Sequence, residues 1–226
     1  MSDAAKRAAG RAGAELVDSG MRLGLGSGST VEHLLLAIAE RKLDVAGVPT
    51  STATAARCRE LGIELLEPDE VDRLDLAIDG ADELDRQLTA TKGGGAALLR
   101  EKVVANMADR FVLIATEDKL VDRLADTFPL PVEVVPFAVG PVGRELTARG
   151  FEVSRRTVAG GEPLVTDNHN AILDVRWPGG LDDPAVTDVA ISLIPGVMCC
   201  GLFVGFAEQA LLGRAVGEVT RVGPST

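Results

Sequence analysis

The residues best placed to do chemistry lie in Lys92-Gly93-Gly94-Gly95, which runs directly into Ala96-Ala97-Leu98-Leu99-Arg100-Glu101-Lys102. Three successive glycines are costly to order, because each loses more backbone freedom on folding than any other residue. They make sense where a backbone turns sharply or lets a ligand approach its amides. A lysine ammonium beside such amides can stabilise an oxyanion as it forms. Glu101 follows close by as a candidate proton acceptor, so the segment suits a small anionic substrate undergoing proton transfer. An ordinary glycine-rich turn ahead of a helix is the competing reading. The chemistry also contains a tension. A glutamate with its ordinary pKa of about 4.3 is a poor base near neutrality, so burial must raise it, while a neighbouring ammonium lowers it. Helical phase sets Glu101 opposite the face of Leu99 and Val103, pointing it either to solvent or into a cleft.

Two further segments carry suitable groups. Gly24-Leu25-Gly26-Ser27-Gly28-Ser29-Thr30 has the character of a phosphate loop: glycines that free amides, hydroxyls on Ser27, Ser29 and Thr30, and a helix start behind them. It is not a Walker A loop, since no Gly-Lys-Ser/Thr occurs. It also misses the dinucleotide fingerprint, because Ser29 stands in place of the third glycine. Asp44, the acid at about the right distance, precedes the second strand instead of following it. A phosphate monoester fits better than a dinucleotide. Asp79-Gly80-Ala81-Asp82-Glu83 gathers three carboxylates, whose repulsion would raise a pKa or demand a cation. That segment allows a metal pair, acid–base work with sugar hydroxyl binding, or a solvated acidic loop. The histidines, His33 in a helix-forming stretch and His169 in a turn, are poor candidates for catalysis.

These segments need a scaffold that gathers them. Helical spacing of Ala5, Ala9, Ala12 and Leu16 predicts a first helix ending at Gly20, followed by a strand over Met21 to Leu25 and a helix carrying Val31, Leu34, Leu35 and Ile38. Strands are expected at 45–48, 63–66, 74–78 and 111–115, with helices at 53–61 and 96–107. Alternating strands and helices, several strands apolar throughout, argue for a parallel sheet covered on both faces. Ligands bind such sheets beyond the strands' carboxyl ends, where all three polar segments fall. After Phe128-Pro129-Leu130-Pro131 the pattern changes to strand 132–135, helix 142–149, strand 151–155, a hairpin of 164–165 with 171–177, helix 184–193 and strand 197–203. This β-α-β-β-α-β order matches a ferredoxin-like unit. The expected architecture is therefore α/β: a Rossmann-like, mostly parallel sheet domain over 1–128 plus 204–226, and a smaller ferredoxin-like α+β domain over 129–203.

Composition narrows the partners. The chain has 226 residues and a formal net charge of −11, with no long basic run, which argues against nucleic acid or anionic membrane. No apolar stretch approaches the roughly 20 residues of a membrane span. Cys58, Cys199 and Cys200 form no disulfide or zinc pattern and read as small buried residues suited to a reducing cytoplasm.

Taken together, Gly-Leu-Gly-Ser-Gly-Ser-Thr (24–30), Asp-Gly-Ala-Asp-Glu (79–83) and Lys-Gly-Gly-Gly-Ala-Ala-Leu-Leu-Arg-Glu-Lys (92–102) resemble the type A ribose-5-phosphate isomerases. The resemblance continues through Phe-Pro-Leu-Pro-Val-Glu-Val-Val-Pro (128–136), Val-Thr-Asp-Asn (165–168), Ile-Leu-Asp-Val (172–175) and Ile-Pro-Gly-Val (194–197), covering nearly the whole chain in order. It implies interconversion of ribose 5-phosphate and ribulose 5-phosphate in the pentose phosphate pathway with no metal or organic cofactor. It implies Glu101 as proton acceptor, Asp79 or Asp82 assisting ring opening, and Lys92 stabilising a cis-enediolate. Substrate contacts are implied at Ser27, Gly28, Ser29, Thr30, Gly80, Ala81, Gly93, Gly94, Gly95 and Lys119. The family often has Thr where this chain has Ser27; both supply a hydroxyl. A homodimer or dimer-based tetramer is implied as well. The rival readings are a sugar-phosphate effector domain of a transcriptional regulator, and an aminosugar deaminase or lactonase, which would call for a histidine in the site.

Overall fold

The computed structural model describes residues 2–223. In the first half the elements are α1 (Asp3–Ala14), β1 (Arg22–Leu25), α2 (Ser29–Glu40), β2 (Ala46–Pro49), α3 (Thr52–Leu61), β3 (Glu64–Leu65), β4 (Leu76–Asp79), β5 (Glu83–Leu84), β6 (Ala90–Thr91), α4 (Leu98–Met107) and β7 (Phe111–Thr116). The second half contains β8 (Leu130–Val134), α5 (Val139–Ala148), β9 (Glu152–Arg155), β10 (Ala171–Arg176), α6 (Pro184–Ser192), β11 (Val197–Cys200), β12 (Leu202–Phe203), β13 (Gln209–Gly213) and β14 (Val219–Val222).

Seven strands form the main sheet in the order β14-β13-β7-β4-β1-β2-β3, parallel throughout except for the antiparallel edge strand β14. β7 shows why its sequence is apolar without alternation. Val112 and Ile114 enter one core with Ala9, Leu34 and Ile38 from α1 and α2, while Phe111, Leu113 and Ala115 enter another with Val104 and Ala105 from α4. Both faces are dry, as parallel sheets require. Alanines on α1 allow its close approach to the sheet, in a chain with only 3% aromatic residues.

A second, fully antiparallel sheet has the order β11-β8-β10-β9. Numbered within the β-α-β-β-α-β unit this is 4-1-3-2, the ferredoxin-like arrangement. α5 and α6 cover one face through Val142, Leu146 and Ile191. The opposite face contributes Ile172 and Cys199 to a small cluster with Leu98 of α4. α4 thus lies between the two sheets, against β1 and β4 on one side and β8 and β11 on the other.

Several sequence expectations are corrected. α1 ends at Ala14, with Glu15 as its C-cap, and not at Gly20. The expected 197–203 strand breaks at Gly201: β11 joins the four-stranded sheet, whereas β12 pairs with β6 in a three-stranded sheet with β5. Residues 164–165 are not a regular strand. Leu164 N–H donates to Arg156 O (3.0 Å), a turn closed by Thr166 N–H to Asn170 O (2.9 Å) follows, and β10 pairs with β9 and β8. α4 starts at Leu98, not Ala96, because Ala96 has φ +60° and Ala97 is the N-cap.

Candidate active site

The carboxyl ends of β1, β4 and β7 converge, together with the Lys92–Gly95 loop after β6, on one cleft. Ser27, Gly28, Ser29, Thr30, Gly80, Ala81, Asp82, Lys92, Gly93, Gly94, Gly95, Glu101 and Lys119 all line it. Asp79 lies just beneath, within ion-pair reach of Lys92. All three segments singled out in the sequence are therefore in one place, although they span more than seventy positions of chain.

The loop after β1 is shaped by Asp79. Its Oδ1 accepts the N–H groups of Ser27 (3.0 Å) and Gly80 (2.7 Å), tying the ends of β1 and β4 together. Gly26 is required for this approach, since a Cβ there would sit 2.2 Å from Asp79 Oδ1. The chain then turns through Gly28 at φ +109° and enters α2, whose first turn has no side-chain cap. Its unpaired amides and positive helix end face the cleft beside the half-buried Lys6 and Lys119, an anion-binding arrangement. The hydroxyls of Ser29 and Thr30 remain available there. That of Ser27 does not: it lies 2.8 Å from both Thr50 Oγ1 and Ser51 Oγ, and 3.0 Å from Thr54 Oγ1. Ser27 supplies loop shape through this hydroxyl cluster, not the free donor expected from the sequence.

Deeper in the cleft, Asp79, Lys92 and Glu101 are only 2%, 2% and 6% exposed. Lys92 Nζ lies 3.0 Å from Asp79 Oδ2 and 3.4 Å from Glu101 Oε1, and donates to Gly80 O at 2.6 Å. Two carboxylates share one buried cation, so one of them holds its proton unusually tightly. Burial first, and then the charge of Asp79, push Glu101 up to about 8, against the pull of Lys92. Burial alone would lower the Lys92 ammonium, but Asp79 and Glu101 outweigh it and keep it above its ordinary value. Burial also raises Asp82, opposed by the Gly94 N–H that its Oδ2 accepts at 2.7 Å. A carboxyl group poised near neutrality beside a fixed ammonium suits proton transfer next to a developing oxyanion.

The face assigned to α4 from periodicity is corrected. Val103 is 46% exposed and Leu99 half-buried, while Leu98, Glu101, Val104 and Ala105 are buried, because two sheets flank this helix. The acidic triplet also separates. Glu83 turns away from the cleft, and its carboxylate accepts N–H groups from Ala125 (2.6 Å), Thr127 (3.0 Å) and Phe128 (2.8 Å). Among the described residues, no three His, Cys, Asp or Glu side chains gather in a metal-binding group. Neither histidine lines the cleft; His33 Nε2 lies 3.1 Å from Asp3 Oδ1, and His169 sits in the 166–170 turn at φ +61°. Three cleft residues, Lys6, Ala115 and Thr116, are not among those expected from the sequence, and two of them are polar. Thr116 ends β7, and the carboxyl-edge rule could have found it. Lys6 lies on α1, where no local pattern marks it.

Residues 46–217 match the family model for ribose 5-phosphate isomerase A (phosphoriboisomerase A). The chain belongs to this family. It is 48% identical to ribose-5-phosphate isomerase A of Thermomicrobium roseum over 220 residues, covering 96% of this chain and 92% of that one. The solved ribose 5-phosphate isomerase A of Neisseria gonorrhoeae superposes with a TM-score of 0.93 at 34% identity, over 100% of this chain and 99% of the other. A D-ribose-5-phosphate isomerase solved with phospho-erythronic acid gives 0.94 at 33% identity, over 99% and 100%. As a member of the ribose 5-phosphate isomerase A family, the protein is an isomerase.

Proposed function

We propose that this isomerase interconverts ribose 5-phosphate and ribulose 5-phosphate through a cis-enediolate. The observation that carries the reading is the buried Glu101 carboxyl, raised to about 8 and 3.4 Å from Lys92, opening into the same cleft as the free amides of α2. The α2 N-terminus, with Ser29, Thr30, Lys6 and Lys119, takes the phosphate dianion. Asp82, held by the Gly94 amide, assists opening of the furanose ring. Glu101 then removes the proton from C2 of the open aldose. Electrons move towards the C1 oxygen, and Lys92 with the glycine-loop amides stabilises the negative charge that develops on the enediolate oxygens. Transfer of the O2 hydroxyl proton to O1, together with return of the carbon proton from Glu101 to C1, gives the ketose and leaves Glu101 ionised again, so the cycle balances without redox chemistry. A carboxylate base working with fixed electrophiles is a known solution for isomerising sugar phosphates. We assign no resident metal or organic cofactor, and take a homodimer or dimer-based tetramer as the working assembly. Incubation with ribose 5-phosphate, with and without chelator, should give ketose at equal rates. Binding without conversion would favour an effector-binding domain, and loss of turnover on chelation would restore a metal role for Asp79 and Asp82.

A further inference from the structure

The three glycines that line the cleft are intrinsically the hardest residues to hold still. Gly93 is buried against Leu98 and Pro131, but few polar contacts restrain the loop. Gly94 N–H donates to Asp82, and a Cβ on Gly94 would lie 2.4 Å from Asp82 Oδ1, so loop and carboxylate are in direct contact. Ala96 N–H donates to Gly93 O at 2.9 Å. The remaining grip comes from the other sheet. Arg156, directly after β9, donates from Nη1 to Gly93 O at 2.6 Å and to Gly94 O at 3.1 Å. The rest of its guanidinium meets Asp174 of β10, through Nε to Oδ2 at 3.0 Å and through an Nη2–Oδ1 ion pair. The Arg156 side chain is largely buried, and its backbone N–H is fixed by Ile172 O at 2.9 Å.

We propose that Arg156, anchored by Asp174, is a positioning residue for the isomerisation: it fixes the Gly93 and Gly94 carbonyls, and through the Gly94 peptide it holds Asp82 and the loop amides at the substrate. Gly94 is gripped at both ends, its carbonyl by Arg156 and its N–H by Asp82, so movement of one partner moves the other. The task suits a planar guanidinium, which engages a carboxylate along one edge while donating to carbonyls from another; an ammonium lacks that fork. Arg156 is also one of three cations, with Lys92 and Lys119, that offset the burial of Asp82. The four-stranded sheet thereby takes part in catalysis without placing a side chain on the reacting atoms.

This inference rests on the isomerase reading above. Wild-type turnover tests that reading, and variants scored against wild type test the inference, so the two can fail separately. Steady-state kinetics on ribose 5-phosphate, normalised to the folded fraction from circular dichroism, would be measured for Arg156→Gln and Arg156→Lys. A misplaced reacting group costs up to about 100-fold, and kcat of Arg156→Gln should fall on that scale. KM should move by less than about threefold, because the phosphate is bound elsewhere. Arg156→Lys should recover only part of kcat, since it restores charge without the fork. Wild-type kcat per folded molecule in Arg156→Gln, or a loss confined to KM, would overturn the proposal. If Arg156→Gln does not fold, Arg156→Lys decides: a kcat loss of about tenfold or more supports positioning, and wild-type kcat contradicts it.

Discussion

Glu133 in the antiparallel sheet and Glu101 in the cleft are both buried glutamates, and each leaves one oxygen, Oε2, without a partner. Burial and an orphaned oxygen therefore do not separate a structural carboxylate from a reactive one. Their surroundings do. Glu133 Oε1 accepts from Thr166 Oγ1 (2.9 Å), Asn168 Nδ2 (3.1 Å) and Asn170 Nδ2 (3.0 Å), so neutral donors from the 166–170 turn enclose it. Glu83 is satisfied in the same spirit by three backbone amides. Glu101 has one distant ammonium, a competing carboxylate in Asp79, and an open cleft in front. Dense neutral donation satisfies a buried carboxylate as a structural tie, whereas sparse donation beside a second anion leaves it raised, as the proposed base requires.

The contrast can be broken most sharply at Glu101. General-base catalysis contributes about 10²–10⁴-fold, so Glu101→Gln should lose that much kcat with little change in KM. Because Asp79 still pairs with Lys92, the variant should match the wild-type melting temperature at acid pH, where wild-type Glu101 is neutral. Lys92→Met comes next, with a loss of about 10²–10³-fold in kcat and about 3–5 kcal/mol in stability, because two buried carboxylates lose their shared cation. Wild-type stability in that variant would show that the carboxylates do not depend on the pair. Glu83→Gln should act the other way: about 2–3 kcal/mol lost from lost charged hydrogen bonds, with kcat per folded molecule unchanged. A catalytic defect there would erase the distinction between the two kinds of carboxylate.

The last effect is a pH slope in stability. The folded pKa of Glu101 is raised from 4.5 to about 8, so between these values the folded state binds more protons than the unfolded one. The stabilisation from this group is complete below 4.5 and is lost as pH rises through 8. Thermal melts across that window should fall less steeply for Glu101→Gln than for wild type.

The sequence made the main sheet legible where strands are long and apolar throughout, as in β7. It also made the cleft legible, because chemistry gathers at the carboxyl edge of a parallel sheet. Local periodicity misled at α4: a helix between two sheets buries parts of two faces, so Leu99 and Val103 did not mark its interior. Strands β5 and β6 have two residues each, too few for any period to register. The separation of Glu83 from Asp79 and Asp82 depends on amides more than forty positions away, and Lys6 reaches the cleft through packing of α1. Neither relation leaves a trace in local sequence. The tension noted for Glu101 was resolved only by burial and the position of Asp79, which spacing along the chain cannot supply.

The central claim is that Glu101 is a buried carboxyl tuned upward to take a proton from carbon. The pH dependence of kcat/KM on ribose 5-phosphate tests it most directly, since that profile reports the essential groups of the free enzyme. The account predicts a rate that climbs with pH and levels off above about 8, with the limb abolished in the residual activity of Glu101→Gln. A wild-type profile flat from about pH 5 to 9 would contradict it.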